Sequence, residues 1–262
     1  KLANDDFLAD DIIEAIPLIN RDAEFIGITG GEPTLLKDKF LKILSLISSY
    51  LPKTQLDVLT NGRNFKDFAL ARDVSLSSNT NLQLCIPLYS DVSDIHNYVV
   101  QADDAWNETI KGILNLKRLN IKVEIRVVLH KQTYSRLPQL CEFISKNLGF
   151  VDHVALMGLE MMGFTKINIA DLWIDPKDYQ KELIEACEIL ERFRIPTSIY
   201  NHQLCLLDKS LWCYARKSIS DWKNIYMEEC DNCEVKDQCG GFFASAIYKH
   251  SSKIKAIKNN GL

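Results

Sequence analysis

The sequence contains no apolar run approaching the roughly 20 residues that a membrane-spanning helix requires. It has no basic excess either: 31 Lys and Arg against 35 Asp and Glu give a net charge of −4, which leaves no electrostatic footprint for nucleic acid or an anionic membrane. The opening residues Lys1-Leu2-Ala3-Asn4-Asp5-Asp6 lack the apolar core of a signal peptide. No internal repeat interrupts the alternation of strand and helix patterns, and no low-complexity tract is present. These absences predict a cytoplasmic protein with neither nucleic acid nor membrane as a partner. In that compartment the eight cysteines are expected as reduced core residues or metal ligands rather than disulfides. The rest of the composition is ordinary: 262 residues, 47% hydrophobic and 25% charged, are enough for one α/β barrel or for a domain with an appendage.

Strand-like runs at 25–28, 56–59, 82–88, 123–129 and 154–157 alternate with amphipathic patterns. An opening helix is expected over 7–19. Phe40, Ile43, Leu44, Ile47 and Leu51 share one helical face, as do Trp106, Ile110, Ile113 and Leu114. So do Leu137, Leu140, Cys141, Ile144 and Leu148, and again Tyr179, Leu183, Ala186, Cys187 and Leu190. The last of these helices is introduced by Asp175-Pro176, a cap followed by proline at the first helical position. Such alternation predicts a parallel sheet with right-handed crossovers. Because the chain opens on a helix, a β/α barrel would lack its first strand; an uncovered parallel edge is unfavourable, so the sequence is expected to be a fragment. Beyond about residue 200 helical periodicity fades while cysteine and aromatic density rise, which predicts a small appendage built round a metal site. The lysine-rich tail 251–262 is expected to fray.

Two motifs carry chemistry. Thr29-Gly30-Gly31-Glu32-Pro33-Thr34-Leu35 reads as a buried strand ending in a Gly-Gly bend, a carboxylate and a proline that stops further pairing. Such bends sit where parallel α/β proteins bind ligands, at the carboxyl end of a strand. The glycines allow close approach to the backbone, and Glu32 beside exposed carbonyls suits a cationic amine. The same residues also fit a plain strand-to-helix turn with a surface Glu. The second motif is Cys230-Asp231-Asn232-Cys233 followed by Cys239-Gly240-Gly241, a C-x2-C-x5-C spacing with Cys205 upstream. Four thiolates suit either tetrahedral zinc or an iron–sulfur cluster. Cys85, Cys141 and Cys187 fall in apolar patterns and read as core, while Cys213 is a spare ligand or packing. His96 and His202 read as loop or packing residues, and Trp212 and Trp222 as packing rather than substrate platforms.

At these motifs the chain resembles the radical S-adenosylmethionine (SAM) superfamily. Residues 29–33 resemble the family's GGEP motif, which binds the methionyl amine of SAM, and Leu59-Thr60-Asn61-Gly62 its next strand end. Ile86-Pro87-Leu88-Tyr89-Ser90-Asp91 through His96 resembles the fourth strand and its loop, often a ribose contact. Glu124-Ile125-Arg126-Val127-Val128 resembles the fifth strand, where a polar side chain commonly faces SAM. A narrower resemblance, over nearly the whole chain, is to the His-Xaa-Ser system radical SAM maturases; the blocks 86–102, 123–133, 151–163, 198–208 and 215–224 carry it. It implies an α/β fold, a partial (β/α)6 radical SAM barrel lacking its first strand over 1–200, with a small Cys-rich extension over 201–262. The family's CxxxCxxC loop, which carries the catalytic [4Fe–4S] cluster, does not occur in this sequence. Its place would be upstream of Lys1, so missing strand and missing motif share one expected explanation, N-terminal truncation. The alternative is a degenerate member that kept the fold without the chemistry.

The resemblance further implies that the intact enzyme cleaves SAM to a 5′-deoxyadenosyl radical that takes hydrogen from a small companion peptide. Gly30, Gly31, Glu32 and Pro33 are implied at the methionyl amine, Arg126 at the SAM carboxylate, Ser90 or Asn61 at the ribose, and the backbone near Met157-Gly158 at the adenine. Cys205, Cys230, Cys233 and Cys239 are implied as ligands of an auxiliary [4Fe–4S] cluster. No residue is assigned as the catalytic group. Implied partners are a peptide with His-Xaa-Ser repeats, a second radical SAM maturase and a reductant such as flavodoxin. Local alternatives stand beside these roles: Arg126 as an ion-pair partner of Glu124 or Glu160, Ser90 and Asp91 as a turn cap, and Glu160 at either the barrel mouth or the surface. Two other functions compete. One is a non-catalytic peptide-binding scaffold with structural zinc at the late cysteines. The other is a phosphate-handling barrel enzyme, for which 158–163, interrupted by Met161 and Met162, makes a poor phosphate loop.

Overall fold

The structure, a computed structural model, describes residues 6–79 and 81–258. The opening residues read above for a leader therefore lie outside the described residues up to position 5, as does the end of the tail, 259–262. Helix α1 (Asp6–Ala15) runs into a 3-10 turn at Ile16–Leu18, then β1 (Phe25–Ile28), α2 (Asp38–Tyr50), β2 (Gln55–Leu59), α3 (Phe68–Ser77) and β3 (Leu82–Pro87). Helices α4 (Ser93–Val100) and α5 (Ala105–Arg118) precede β4 (Lys122–Leu129), and α6 (Leu137–Asn147) precedes β5 (His153–Gly158). A short α7 (Ile169–Leu172) and the longer α8 (Gln180–Arg192) lead to β6 (Thr197–Tyr200). A hairpin-like pair, β7 (Asn224–Ile225) and β8 (Phe242–Phe243), is antiparallel.

The six long-range strands form one sheet in sequence order. Parallel registers pair Phe25 with Gln55, Leu56 with Leu82 and Val154 with Thr197. With helices between successive strands this is the expected α/β fold, a partial β/α barrel. Six of these elements were not anticipated: β6, α3 and α4, and the short α7, β7 and β8. β6 reads Thr-Ser-Ile-Tyr and buries only its middle pair, so its apolar signal is brief. α3 buries Ala71 and Val74 alone, and α4 buries only His96, so neither displays a face in the sequence.

By compactness the chain divides into two units, Lys1–Leu88 with Val100–Ile125 and Phe150–Asp152, and Tyr89–Val99 with Arg126–Gly149 and His153–Leu262. In the first, α2 buries Phe40, Ile43, Leu44 and Ile47, the face read from the sequence. α5 lies against the turn after β2: Asn115 Nδ2 donates to the carbonyls of Phe65 (2.9 Å) and Lys66 (3.1 Å), and Glu108 pairs with both Arg63 and Lys66. Gly62 in that turn adopts φ 77°, and a Cβ at Gly112 would collide with the Gly62 carbonyl oxygen. The helix therefore approaches the turn closely enough to exclude any side chain there.

In the second unit α6 and α8 bury Leu140, Cys141, Ile144, Leu183, Ala186, Cys187 and Leu190. Asp175 accepts from the Lys177 amide at 2.9 Å, so the cap and proline are present, but they open a 3-10 turn over Pro176–Tyr179 and α8 itself begins only at Gln180. The tail corrects the sequence reading. Ser251 and Ile254 are buried, Ser251 Oγ donates to Asp175 Oδ2 at 2.8 Å, and the Glu234 amide donates to the Ile257 carbonyl at 3.0 Å. The lysines that suggested fraying face solvent while the isoleucines between them dock.

Gly112→Ala tests the helix contact. Alanine would gain about 1 kcal/mol of helix propensity, but overpacking against a backbone carbonyl costs roughly 1–3 kcal/mol. A net loss in urea unfolding is expected, whereas an exposed helical glycine would be stabilised by the same change.

Candidate functional site

The Gly-Gly-Glu-Pro motif stands at the carboxyl end of β1, as read from the sequence, but that strand is not buried as expected: its four residues alternate between exposed and half-buried. Gly30 has φ 146°, and a Cβ added at either Gly30 or Gly31 would meet nothing within 4 Å. The backbone here is exposed, and the positive φ favours glycine. Glu32 caps the following 3-10 turn, which begins with buried Pro33. Its Oε1 accepts from the Thr34 amide (3.2 Å), the Thr34 hydroxyl (2.6 Å) and the Thr60 hydroxyl (2.7 Å). Oε2 accepts from the Asn61 amide at 2.7 Å. The carboxylate thus fastens the loop after β1 to the loop after β2. A carboxylate offers about four acceptor positions, and the uneven sharing leaves capacity on Oε2.

The network extends outward. Asn64 Nδ2 donates to Thr34 Oγ1 at 2.8 Å, and Thr60 Oγ1 accepts from the Gly62 amide at 3.1 Å. Asn61 is exposed; its Oδ1 accepts from the Arg63 amide at 2.9 Å and its carbonyl from the Thr109 hydroxyl at 3.2 Å. Thr34, Thr60 and Asn64 were not singled out from the sequence. Hydroxyl and amide residues in loops are too common to stand out without the fold.

In the second unit Ser90 is 1% exposed, and its Oγ accepts from the Val92 amide at 3.1 Å, the turn-capping alternative. The adjacent Asp91 takes a two-pronged ion pair from Arg136, at 3.0 and 2.6 Å, which holds that guanidinium firmly protonated. Arg126 is half-buried on β4, and Met157 is half-buried one residue before the end of β5. Glu160 lines a cavity at the ends of β5 and β6 with Gly158, Met161, Trp173, Asn201 and Gln203; burial raises its pKa and Lys223 opposes the rise. That places Glu160 at the strand ends, one of its two expected positions.

The buried histidines differ. His202 Nε2 accepts from the Tyr179 hydroxyl at 2.8 Å while Nδ1 donates to the Tyr200 carbonyl at 2.9 Å, so the ring is neutral and satisfied. His96 Nδ1 accepts from the Tyr89 amide at 3.3 Å. His130, just past β4, is 2% exposed, lies 5.9 Å from the Tyr89 ring, and finds no hydrogen-bond partner for either nitrogen among the described residues. Burial pushes both His130 and His202 down to about 4. Trp212 packs as expected, donating to the Leu204 carbonyl at 3.1 Å. Trp222 does not: it is 80% exposed, with Lys223 Nζ 4.4 Å from the ring centre.

Cys205, Cys230, Cys233 and Cys239 line one pocket with Tyr226, Val235 and Ile257. Burial raises the Cys205 and Cys230 thiols, backbone amides of Lys255 and Met227 pull them down, and the neighbouring thiols raise them again. The Ile257 amide donates to Cys233 Sγ at 3.4 Å. Among the described residues no group of three or more His, Cys, Asp or Glu side chains is arranged to hold a single metal ion. Cys85, Cys141 and Cys187 are core residues, as expected. Cys213 is exposed and hydrogen-bonds the Ser210 carbonyl at 3.5 Å, outside the pocket lining. No helix among the described residues is long and apolar enough to cross a membrane.

No protein-family profile matches the chain. A GTP 3',8-cyclase of Campylobacter jejuni subsp. doylei is 28% identical over 190 residues, covering 70% of this chain and 55% of the relative. The chain therefore spans about half the length of the curated relatives it matches. Streptococcus suis SuiB aligns with a TM-score of 0.59 at 19% identity, over 75% of this chain and 44% of SuiB. SuiB also matches in structures with S-adenosylmethionine and with its precursor peptide SuiA. anSMEcpe with bound AdoMet and the Cp18Cys peptide aligns with a TM-score of 0.56 at 17% identity, over 73% of this chain and 55% of that one. The chain has the radical SAM fold. At these identities the solved structures speak for the radical SAM fold alone, and the cyclase likeness supports the radical SAM superfamily without selecting a subtype.

Glu32→Ala should destabilise the protein by about 2 kcal/mol or more in urea unfolding, because it leaves several donors unpaired. A surface glutamate would cost less than about 0.5 kcal/mol. A second expectation concerns pH. His130 and His202 have folded pKa values below the unfolded one, so the unfolded chain binds more protons and stability is lost as pH falls from 6.5 toward 4. Between pH 7 and 5 the loss should be about 2 kcal/mol for each ring, seen as a falling urea midpoint that His202→Gln partly flattens.

Proposed function

We propose that this chain belongs to a radical SAM peptide maturase of the His-Xaa-Ser type, acting on a small companion peptide with a second maturase and a reductant as partners. In this reading residues 1–200 supply the core, and 201–262 carry an auxiliary iron–sulfur cluster on Cys205, Cys230, Cys233 and Cys239. The catalytic cluster would be held by a CxxxCxxC motif that this sequence does not contain. The observation that carries the reading is the pocket lined by four thiols, in a chain with the same fold as SuiB and anSMEcpe, both solved with peptides.

The residues fit the implied groups in two ways. The open backbone at Gly30 and Gly31 leaves room that a side chain would fill, so a methionyl amine can approach the carbonyls while Oε2 of Glu32 keeps an acceptor position. Asn61, exposed at the next strand end, is placed for a hydroxyl contact. Within the second unit taken alone, Arg126 offers a guanidinium suited to a carboxylate and the strand end at Met157 a backbone edge for a base. Ser90 Oγ is committed to its turn, which favours Asn61 over Ser90 for the ribose.

At the cysteines, a tetrahedral zinc would need its thiolates roughly 3.8 Å apart, given Zn–S bonds of about 2.3 Å. Four thiols lining one pocket supply the donor set of either zinc or an iron–sulfur cluster, and the family resemblance, not the pocket itself, favours the cluster. When bound, SAM and a reduced cluster supply a radical able to take hydrogen from a peptide. The chain's own part is to orient the amine at the Gly-Gly bend and to keep the thiols screened among apolar residues.

Anaerobic reconstitution followed by iron, sulfide and zinc analysis tests the proposal. About four irons per chain, lost on Cys230→Ala, are expected. One zinc and no iron would remove the cluster and turn the reading toward a peptide-binding scaffold.

A further inference from the structure

The tail expected to fray is tied to the thiol pocket. Ser251 is buried and donates to Asp175, the residue that caps the turn before α8, so the tail is fastened to a fixed helix entry. Lys253 adds an exposed ion pair with Asp178 at 2.8 Å. Ile254 then packs with Leu206 and Phe242 in a small apolar cluster that Cys205 and Cys230 adjoin. Beyond it, Lys255 and Ile257 enter the pocket lining.

What Ile257 brings is backbone: its amide donates to Cys233 Sγ at 3.4 Å while its carbonyl accepts from the Glu234 amide at 3.0 Å. An N–H directed at sulfur fixes the orientation of the side chain and withdraws charge from a ligating thiolate. Lys255, two residues earlier, lines the pocket that Cys205 also lines.

We propose that residues 251–257 are a strap belonging to the metal centre, whose Ile257 amide holds the Cys233 sulfur ready to ligate while Ser251 anchors the strap to Asp175 and Ile254 packs in the apolar cluster that Cys205 and Cys230 adjoin. This rests on the metal-site reading above. The strap accounts for a site that lies in a region with little apolar core of its own: hydrogen bonds to sulfur and an anchored tail do part of what packing does elsewhere.

The test uses the full chain, reconstituted anaerobically with iron and sulfide, and compares Ile257→Pro, which deletes the donor to Cys233, with Ile257→Val, which keeps it. Ile257→Pro should lose metal to a chelator about tenfold faster or more and shift the reduction potential, with Ile257→Val like the unsubstituted chain. In the unsubstituted chain, hydrogen–deuterium exchange of the 251–258 peptide should slow on metal loading; this reading decides the matter if the proline variant fails to fold. If the chain holds metal, loses it on Cys230→Ala, and yet both Ile257 variants behave alike with exchange over 251–258 unchanged, the strap is wrong and the site stands. If the unsubstituted chain binds no metal, the site reading fails and the strap with it.

Discussion

The Glu32 carboxylate is the contact on which the ligand-facing end of the first unit depends. A parallel sheet fixes its strands by their ladders but leaves the loops at their carboxyl ends unconnected to one another. Here one charged group accepts two hydrogen bonds from Thr34 of its own loop and one each from Thr60 and Asn61 of the next, binding the ends of β1 and β2 into one surface. Because the side chain carries that connection, the neighbouring glycine backbone is left open instead of being consumed by its own loop. The arrangement separates two jobs, bracing and ligand approach, between adjacent residues.

Behind this surface α5 acts as a buttress. It touches the loop after β2 with a hydroxyl at Thr109, a bare backbone at Gly112 and an amide at Asn115, each one turn from the last. The pocket of the late cysteines is built on another principle. Its apolar cluster is small, so its geometry is set by hydrogen bonds from separate stretches of chain and by an anchor at Asp175.

How much of this was legible depends on the kind of signal. Apolar runs locate strands well, and β1 to β5 fall within a residue or two of their sequence positions. They say less about burial: β1, read as buried, is exposed or half-buried. Of the face read as Trp106, Ile110, Ile113 and Leu114 only Ile113 is buried, α5 packing instead through Thr109, Gly112, Asn115 and Leu116. β6, α3 and α4 escaped because each buries too few side chains to leave a period. The Gly-Gly-Glu-Pro bend and the cysteine spacing were visible because glycine, proline and cysteine are informative residue types. The threonines that brace Glu32 were not, since their meaning comes from which loops lie side by side. The amide that Ile257 turns on Cys233 has no sequence signature at all: every residue but proline carries one. Trp222 and the tail were misread because aromatic and lysine content say little about which individual side chain is covered.

The last strand of the main sheet does not end on bare backbone. Beyond β6, Ala215 bridges to Ile199 and the Arg216 amide donates to the Ile199 carbonyl at 3.0 Å, so a later stretch of the chain partly covers the outer side of a strand only four residues long. An edge occupied in this way offers a second copy of the chain fewer free backbone groups to pair with.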